Sequence, residues 1–148
     1  MLSESTAAKS YRDMVRGLSL RFVPPPNEPW EPHFRLYLED IWQRESKNLR
    51  ELEAADGSHK AIADTRISLF IFAVGLVTYG CLDVIPFMLR NIPQAGKLPR
   101  LARVALELLP VPEEVMSARN WELVAKWVEE HYDELEWDEE AEKFVFKG

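Results

Sequence analysis

Apolar residues recur every three to four positions along most of the chain, which predicts a mostly helical fold. The clearest amphipathic stripe lies near the C-terminus, where Trp121, Val124 and Val128 follow this spacing. Proline and glycine residues interrupt the pattern and set the expected helix ends. Helices are therefore expected over about residues 4–20, 32–54, 60–78, 83–90 and 99–109, and from about residue 117 or 120 onward.

An uncharged run of sixteen residues, ISLFIFAVGLVTYGCL, occupies Ile67–Leu82. A membrane-spanning helix needs about 20 apolar residues, and extending the run to Leu89 takes in Asp83 and Pro86, which are unfavourable at bilayer depth. We therefore interpret the run as part of a central helix that is wrapped by others and ended by Gly80 in a left-handed conformation. Asp83 is expected to cap a new helix whose first turn contains Pro86.

Two segments are expected to be non-helical. The sequence PPPNEPWEP at residues 24–32 predicts a stiff, extended linker, with Trp30 docked on the surface of the domain. Near the C-terminus, alternating apolar residues flank the turn-rich sequence DEEAE, so residues 135–147 predict a small β-hairpin. Because a chain of 148 residues usually forms one core, residues 1–148 are expected to form a single helical domain, either a bundle or stacked helical hairpins.

Residues 76–110, LVTYGCLDVIPFMLRNIPQAGKLPRLARVALELLP, are similar to HEAT-type helical repeats. DVIPFML at Asp83–Leu89 resembles the start of a repeat helix, and RLARVALELL at Arg100–Leu109 resembles the helix that follows it. The resemblance covers about a third of the chain, and no second copy occurs at a fixed period. It implies helical-hairpin packing and a protein-binding surface, and it implies no chemistry.

The composition is that of an ordinary globular protein, with 47% apolar and 29% charged residues. The N-terminal sequence carries Glu4 and has no apolar stretch of the kind found in secretory signals. Since Cys81 is the one cysteine, an intrachain disulfide is excluded. Both features favour a reducing, cytoplasmic compartment.

The net charge of −7 is unevenly distributed along the chain. Residues 1–112 hold 14 Lys and Arg against 13 Asp and Glu, whereas residues 113–148 hold 4 against 12, a net charge of −8. A separate basic run contains no acidic residue and consists of Arg90, Lys97, Arg100 and Arg103. The sequence therefore predicts a dipolar molecule.

The acidic last quarter is the candidate binding surface. We predict that it binds a basic protein, because complementary charge speeds encounter and selects partners. Nucleases and other nucleic-acid-binding proteins carry basic surfaces, so one hypothesis is an immunity-type inhibitor that neutralises a basic toxin or enzyme. The alternative is a solvated acidic face that keeps the protein in solution. The predicted partner-contact residues are Trp127, Glu129, Glu130, Asp133, Glu134, Glu136, Asp138 and Glu139.

Trp127 has two interpretations. An exposed Trp beside acidic residues would suit a binding hot spot. Alternatively, the terminal hairpin covers Trp127 through Trp137 or Phe144, and this second interpretation is favoured.

No motif indicates a catalytic, metal or cofactor site, so the sequence predicts a protein that is not an enzyme and has no cofactor. The three His lie in different elements. His131 and Glu134, three apart on a helix, have the spacing to share an ion, but the favoured interpretation is an exposed His in an acidic stretch. Cys81 lies between apolar helices, where a free Cys usually acts as a small buried hydrophobe. Three carboxylates border apolar helices and would form a site if they met in one pocket, namely Asp64, Asp83 and Glu107.

Two alternatives to the inhibitor hypothesis stay open. One is a small enzyme, or an accessory subunit of one, with an unrecognised pocket. The other is a structural homodimer that uses the apolar central helices. Direct binding to nucleic acid is disfavoured because the net charge opposes it and no aromatic residue interleaves with the basic run. A membrane partner is not expected.

Overall fold

The computed structural model describes residues 7–18, 21–93, 98–118 and 120–148. Within these residues the protein is mostly α-helical and ends in a two-stranded antiparallel hairpin, as the apolar pattern predicts. The helices are α1 (Ala7–Leu18), α2 (Trp30–Ala54), α3 (His59–Val77), α4 (Ile85–Arg90), α5 (Leu98–Leu106), α6 (Glu113–Ser117) and α7 (Trp121–His131), and the strands are β1 (Leu135–Asp138) and β2 (Lys143–Phe146). The outer residues of the predicted first helix, 4–6 and 19–20, lie outside the described residues.

Helix α3 is the centre of the fold, because its last six residues, 72–77, are buried on every side by α1, α2, α4 and α5. Gly75 allows two of these helices to approach closely. A Cβ at Gly75 would lie 2.8 Å from Leu38 Cδ1 of α2 and 3.1 Å from Val15 Cγ1 of α1. The uncharged run is therefore core. None of the described helices combines the length and the apolar character that crossing a bilayer requires.

Helix α2 begins at Trp30, two residues before the predicted start at Pro32. Proline fits here because amides in the first helical turn have no partner within the helix. The extended linker predicted over residues 24–32 therefore ends at Pro29, and Trp30 belongs to the helix. Its ring is covered by Arg16 of α1, whose guanidinium carbon lies 4.5 Å from the ring centroid.

The prediction that Asp83 caps a helix is wrong. Asp83 lies in a short 3-10 turn, Leu82–Val84, and its carboxylate accepts a hydrogen bond from the hydroxyl of Tyr132. Helix α4 follows without a side-chain cap, and Pro86 lies in its first turn as expected. Gly80 has the predicted left-handed conformation, with φ of 92°.

Helix α5 ends at Leu106, before the predicted end at Leu109. Beyond Leu106 the backbone tightens into turns in which each amide bonds three residues back, as from Leu109 to Leu106. The carbonyl of Leu108 then accepts a hydrogen bond of 2.7 Å from the amide of Phe144 in β2. The Leu108 carbonyl, which would bond within the helix if α5 continued, thus bonds to the C-terminal hairpin instead.

The hairpin packs one apolar face on the helices. Leu135 pairs with Phe146 and Trp137 pairs with Phe144, so these four side chains share a face. Leu135 and Phe144 are buried and belong to the same apolar cluster as α3. The carboxylate of Asp138 accepts hydrogen bonds of 3.0 Å from the amides of Glu140 and Ala141, which fixes the turn.

Candidate functional site

The acidic residues of the last quarter form a surface that follows the chain from α7 through a 3-10 turn, Tyr132–Glu134, into the hairpin. We call it the acidic surface. Six of the predicted contact residues are exposed and define it: Glu129, Glu130, Asp133, Glu134, Glu136 and Glu139. Whether they contact a partner stays a prediction.

Few cations offset the acidic surface. Within the described residues, Glu130 forms an ion pair with Lys126 at 3.9 Å, and Glu134 Oε2 lies 2.7 Å from His131 Nδ1. Both glutamate side chains are more than half exposed, at 56% and 60%. Exposed pairs of this kind contribute roughly 0–1 kcal/mol. The carboxylates are therefore easily released to a competing cationic partner.

Asp138 differs from the other predicted contact residues because its carboxylate accepts from two backbone amides of the hairpin turn. It is also only partly exposed. Asp138 therefore has a structural role in the hairpin turn. Its predicted contact with a partner stays a prediction, and its partial exposure does not favour that contact.

The interpretation of Trp127 as an exposed hot spot is wrong, because Trp127 is only 8% exposed. Its ring lies 4.6 Å from His131 and 6.1 Å from Phe146, measured between ring centroids. The favoured alternative, in which the hairpin covers Trp127, is confirmed, although the covering residue differs from the predicted ones. The covering residue is Phe146 instead of Trp137 or Phe144, which pair with each other at 5.0 Å.

A groove of about 480 Å³ lies between α4 and α7, beside the acidic surface. Its apolar walls include Leu89 and Val128. The charged residues that line it are Arg90, Glu129 and Asp133. We call it the α4–α7 groove. The sequence did not reveal it, because α4 and α7 lie about 40 residues apart and only packing brings them together.

Tyr132 supports the border of the α4–α7 groove. Its hydroxyl donates to the Asp83 carboxylate, and this hydrogen bond, with burial second, raises the pKa of Tyr132 to about 12. Tyr132 therefore remains a neutral hydrogen-bond donor at physiological pH, and it ties the 3-10 turn of the acidic surface to the turn that precedes α4.

A second group of charged residues is centred on Arg12 of α1, which is only 5% exposed. Arg12 Nη1 lies 2.6 Å from Glu142 Oε2 and 3.6 Å from Glu31 Oε2, and its Nε donates to the Thr78 carbonyl at 3.1 Å. The guanidinium carbon lies 4.2 Å from the ring centroid of Tyr79. We call this set the Arg12 cluster.

The Arg12 cluster joins four parts of the fold, namely α1, the start of α2, the end of α3 and the hairpin turn. Tyr79 donates a hydrogen bond of 2.9 Å to the Glu31 carbonyl, and burial chiefly raises the pKa of Tyr79 well above its ordinary value. One carboxylate of the acidic quarter, Glu142, is thus engaged inside the molecule and does not belong to the acidic surface. Sequence reasoning missed the cluster because Arg12 and Glu142 lie 130 residues apart.

The carboxylates that would form a catalytic pocket if they met do not converge. Asp64 lines a cleft between α2 and α3, Asp83 accepts from Tyr132, and Glu107 accepts from Tyr11. In the part of the chain that the structure describes, no group of three His, Cys, Asp or Glu is placed to hold a metal ion. Cys81 is half-buried, and burial raises the pKa of its thiol.

No protein-family model, curated protein or solved structure matches this chain. The likeness of residues 76–110 to HEAT-type repeats therefore stays a prediction.

Proposed function

We propose that this chain is a protein-binding module that holds a basic protein partner on its acidic surface. The observation that carries the proposal is the run of six exposed carboxylates from α7 to the hairpin turn, in a region whose net charge is −8. Such a concentration of one sign produces a field that attracts and orients a basic partner, and the effect weakens as salt is added.

The α4–α7 groove favours binding over simple solvation. A solvated acidic face needs no adjoining apolar surface, whereas protein interfaces combine an apolar centre with a polar rim. Here Glu129 and Asp133 border apolar walls that include Leu89 and Val128. The arrangement suits a partner that presents an apolar side chain next to Lys or Arg.

The finer form of the proposal is an immunity-type inhibitor that neutralises a basic toxin or enzyme by covering its phosphate-binding surface. The proposal assigns no catalysis and no cofactor to this chain. It places the protein in the cytoplasm, a compartment that suits a chain whose single cysteine, Cys81, is a half-buried thiol.

The test begins with a tagged pull-down from the native host at moderate salt, with mass spectrometry of the proteins that co-purify. The dissociation constant of the purified complex is then measured by calorimetry across a range of salt concentrations. The variant reverses four charges of the acidic surface, at Glu129, Glu130, Asp133 and Glu134. We expect weaker binding and a flatter salt dependence, because fewer charge pairs form in the complex.

A matched control reverses the same number of exposed carboxylates elsewhere, at Asp13, Asp40, Glu51 and Glu53. It changes the net charge equally but leaves the acidic surface intact, so it should retain most of the affinity. Equal loss in both variants would mean that only net charge matters, and unchanged binding in the first variant would rule out this surface. Light scattering on the isolated chain separates the proposal from a homodimer.

A further inference from the structure

A second groove, which we call the basic groove, lies between the start of α5 and the start of α7. Its volume is about 360 Å³. Its floor is apolar and is formed by Met116, Trp121 and Val124. Arg100 and Arg103 stand at its border, and because they are three residues apart on α5 they share one side of that helix.

The basic groove carries positive charge, whereas residues 113–148 carry a net negative charge. Among the described residues that line it, none is a carboxylate. Arg100 and Arg103 are both exposed, and neither has an ion pair within the residues that the structure describes. Lys97, another member of the basic run, lies outside the described residues. The chain as a whole has a net charge of −7, so a groove bordered by two arginines has the opposite charge to the protein as a whole.

Helix stability does not explain both arginines. Arg103 is in the last turn of α5, where a cation interacts favourably with the helix dipole. Arg100 is the third residue of the same helix, where a cation is unfavourable. Neither side chain is needed for the core, since both are exposed. The fold alone does not explain Arg100, whereas binding of a negatively charged ligand would.

The exposure of Arg100 and Arg103 favours a peptide over a small molecule in the basic groove. Small-molecule sites occupy roughly 300–1,000 Å³ and bury most of the ligand around a few converging polar groups. This groove is at the small end of that range, and its two charged groups are exposed at the border. Arginine pairs are well suited to carboxylates, which accept two parallel hydrogen bonds, and arginine clusters recur in the recognition of acidic motifs.

We propose that the basic groove binds an acidic peptide segment of a protein partner. The segment places one large apolar side chain over Met116 and Trp121 and its carboxylates against Arg100 and Arg103. Asn120 assists at the border, where its side-chain oxygen already accepts from the Glu122 amide at 3.0 Å as the cap of α7. This site is independent of the acidic surface, because it selects a ligand of opposite charge.

The test uses the full chain and a fluorescein-labelled peptide in which glutamates flank a single phenylalanine. Fluorescence anisotropy gives the dissociation constant at low and at moderate salt. Two matched peptides separate the contributions, one with glutamine in place of every glutamate and one with serine in place of phenylalanine. We expect each matched peptide to bind more weakly than the parent, since each lacks one of the two recognised features.

The variant Arg100→Glu/Arg103→Glu removes the basic border, and we expect binding of the parent peptide to weaken by about tenfold or more. The matched control is Lys47→Glu/Arg50→Glu, which reverses two exposed cations at the same spacing on α2. It should change the affinity by less than about twofold, because only long-range charge is altered. Circular dichroism checks that both variants fold.

The variant Met116→Glu tests the apolar floor without changing either arginine, and it too should weaken binding. Three results would overturn the proposal: no binding of the parent peptide, equal loss in the groove and α2 variants, or binding of free phenylacetate at this groove in place of the peptide. The last result would identify a small-molecule site. A chain with the acidic surface reversed should still bind the peptide, so failure of the proposed function and failure of this inference are distinguishable.

Discussion

Replacing Arg12 by Met tests whether the Arg12 cluster holds the N-terminal helix and the C-terminal hairpin together. Met retains an unbranched apolar stem against the ring of Tyr79 but removes the charge and every hydrogen bond. Glu31 and Glu142 are then left without the cation that lies between them. The carboxylates of Glu31 and Glu142, which both face Arg12 in the native protein, would then repel each other in a partly buried environment.

The magnitude follows from burial. Removing one partner of a buried ion pair costs about 3–5 kcal/mol. Glu31 and Glu142 keep 28% and 26% of their side-chain surface exposed, so water offsets part of this cost. The Thr78 carbonyl loses a charged donor, which adds to the loss. We therefore expect the free energy of unfolding to fall by about 3 kcal/mol, a large fraction of the total for a small protein.

Urea denaturation followed by circular dichroism measures the loss, provided that the slope with urea is unchanged. The control Arg16→Met removes a cation on the same helix that lies over Trp30 and is expected to cost about 0.5–1 kcal/mol. Adding Glu142→Gln to Arg12→Met should recover part of the stability, because it removes one of the two carboxylates that Arg12 no longer neutralises. A loss below about 1 kcal/mol for Arg12→Met would refute the view that the cluster stabilises the fold.

Two further predictions concern the backbone and the tyrosines. Gly80→Ala should lower the free energy of unfolding by about 2 kcal/mol or more, because φ is 92° and the new Cβ would meet the ring of Trp137 at 2.6 Å; calorimetric melting checks it, and a wild-type melting temperature would contradict it. The pKa values of Tyr11 and Tyr132 are raised to about 12, chiefly because each hydroxyl donates to a carboxylate. Since the folded pKa exceeds the ordinary value of about 10, this contribution to stability is complete below about pH 10 and is lost as the pH rises toward 12. Titration of tyrosine absorbance should show late ionisation of Tyr11, Tyr79 and Tyr132, and the control Tyr132→Phe should remove one late-ionising residue. Ionisation of all tyrosines near pH 10 would count against the two hydrogen bonds.

The parts of the fold that the sequence predicted depend on local patterns. Ile67–Leu82 has no charge, so its burial as a central helix follows from the cost of exposing it to water. The hairpin at 135–147 follows from alternation of apolar and polar residues around a turn. Both features need only neighbours in sequence, and the structure confirms both.

The parts that could not be predicted depend on residues far apart in the chain. An Asp before a helix is a common cap, yet Asp83 accepts from Tyr132, which is 49 residues away. Trp127 is covered by Phe146 because of the strand register, which the sequence does not specify in advance. Arg12 looks like one more surface cation of an amphipathic helix until three distant elements bury it.

Helix α7 explains how the acidic surface and the basic groove can coexist in one small protein. Val124 and Val128 are each 2% exposed and anchor α7 in the core. Val124 contributes to the floor of the basic groove, and Val128 contributes to the wall of the α4–α7 groove beside Glu129. The two sites are thus spaced along one helix, with their exposed charges outside the core. Substitutions at those charges should alter binding with little change in stability, whereas substitutions at the two valines should alter both.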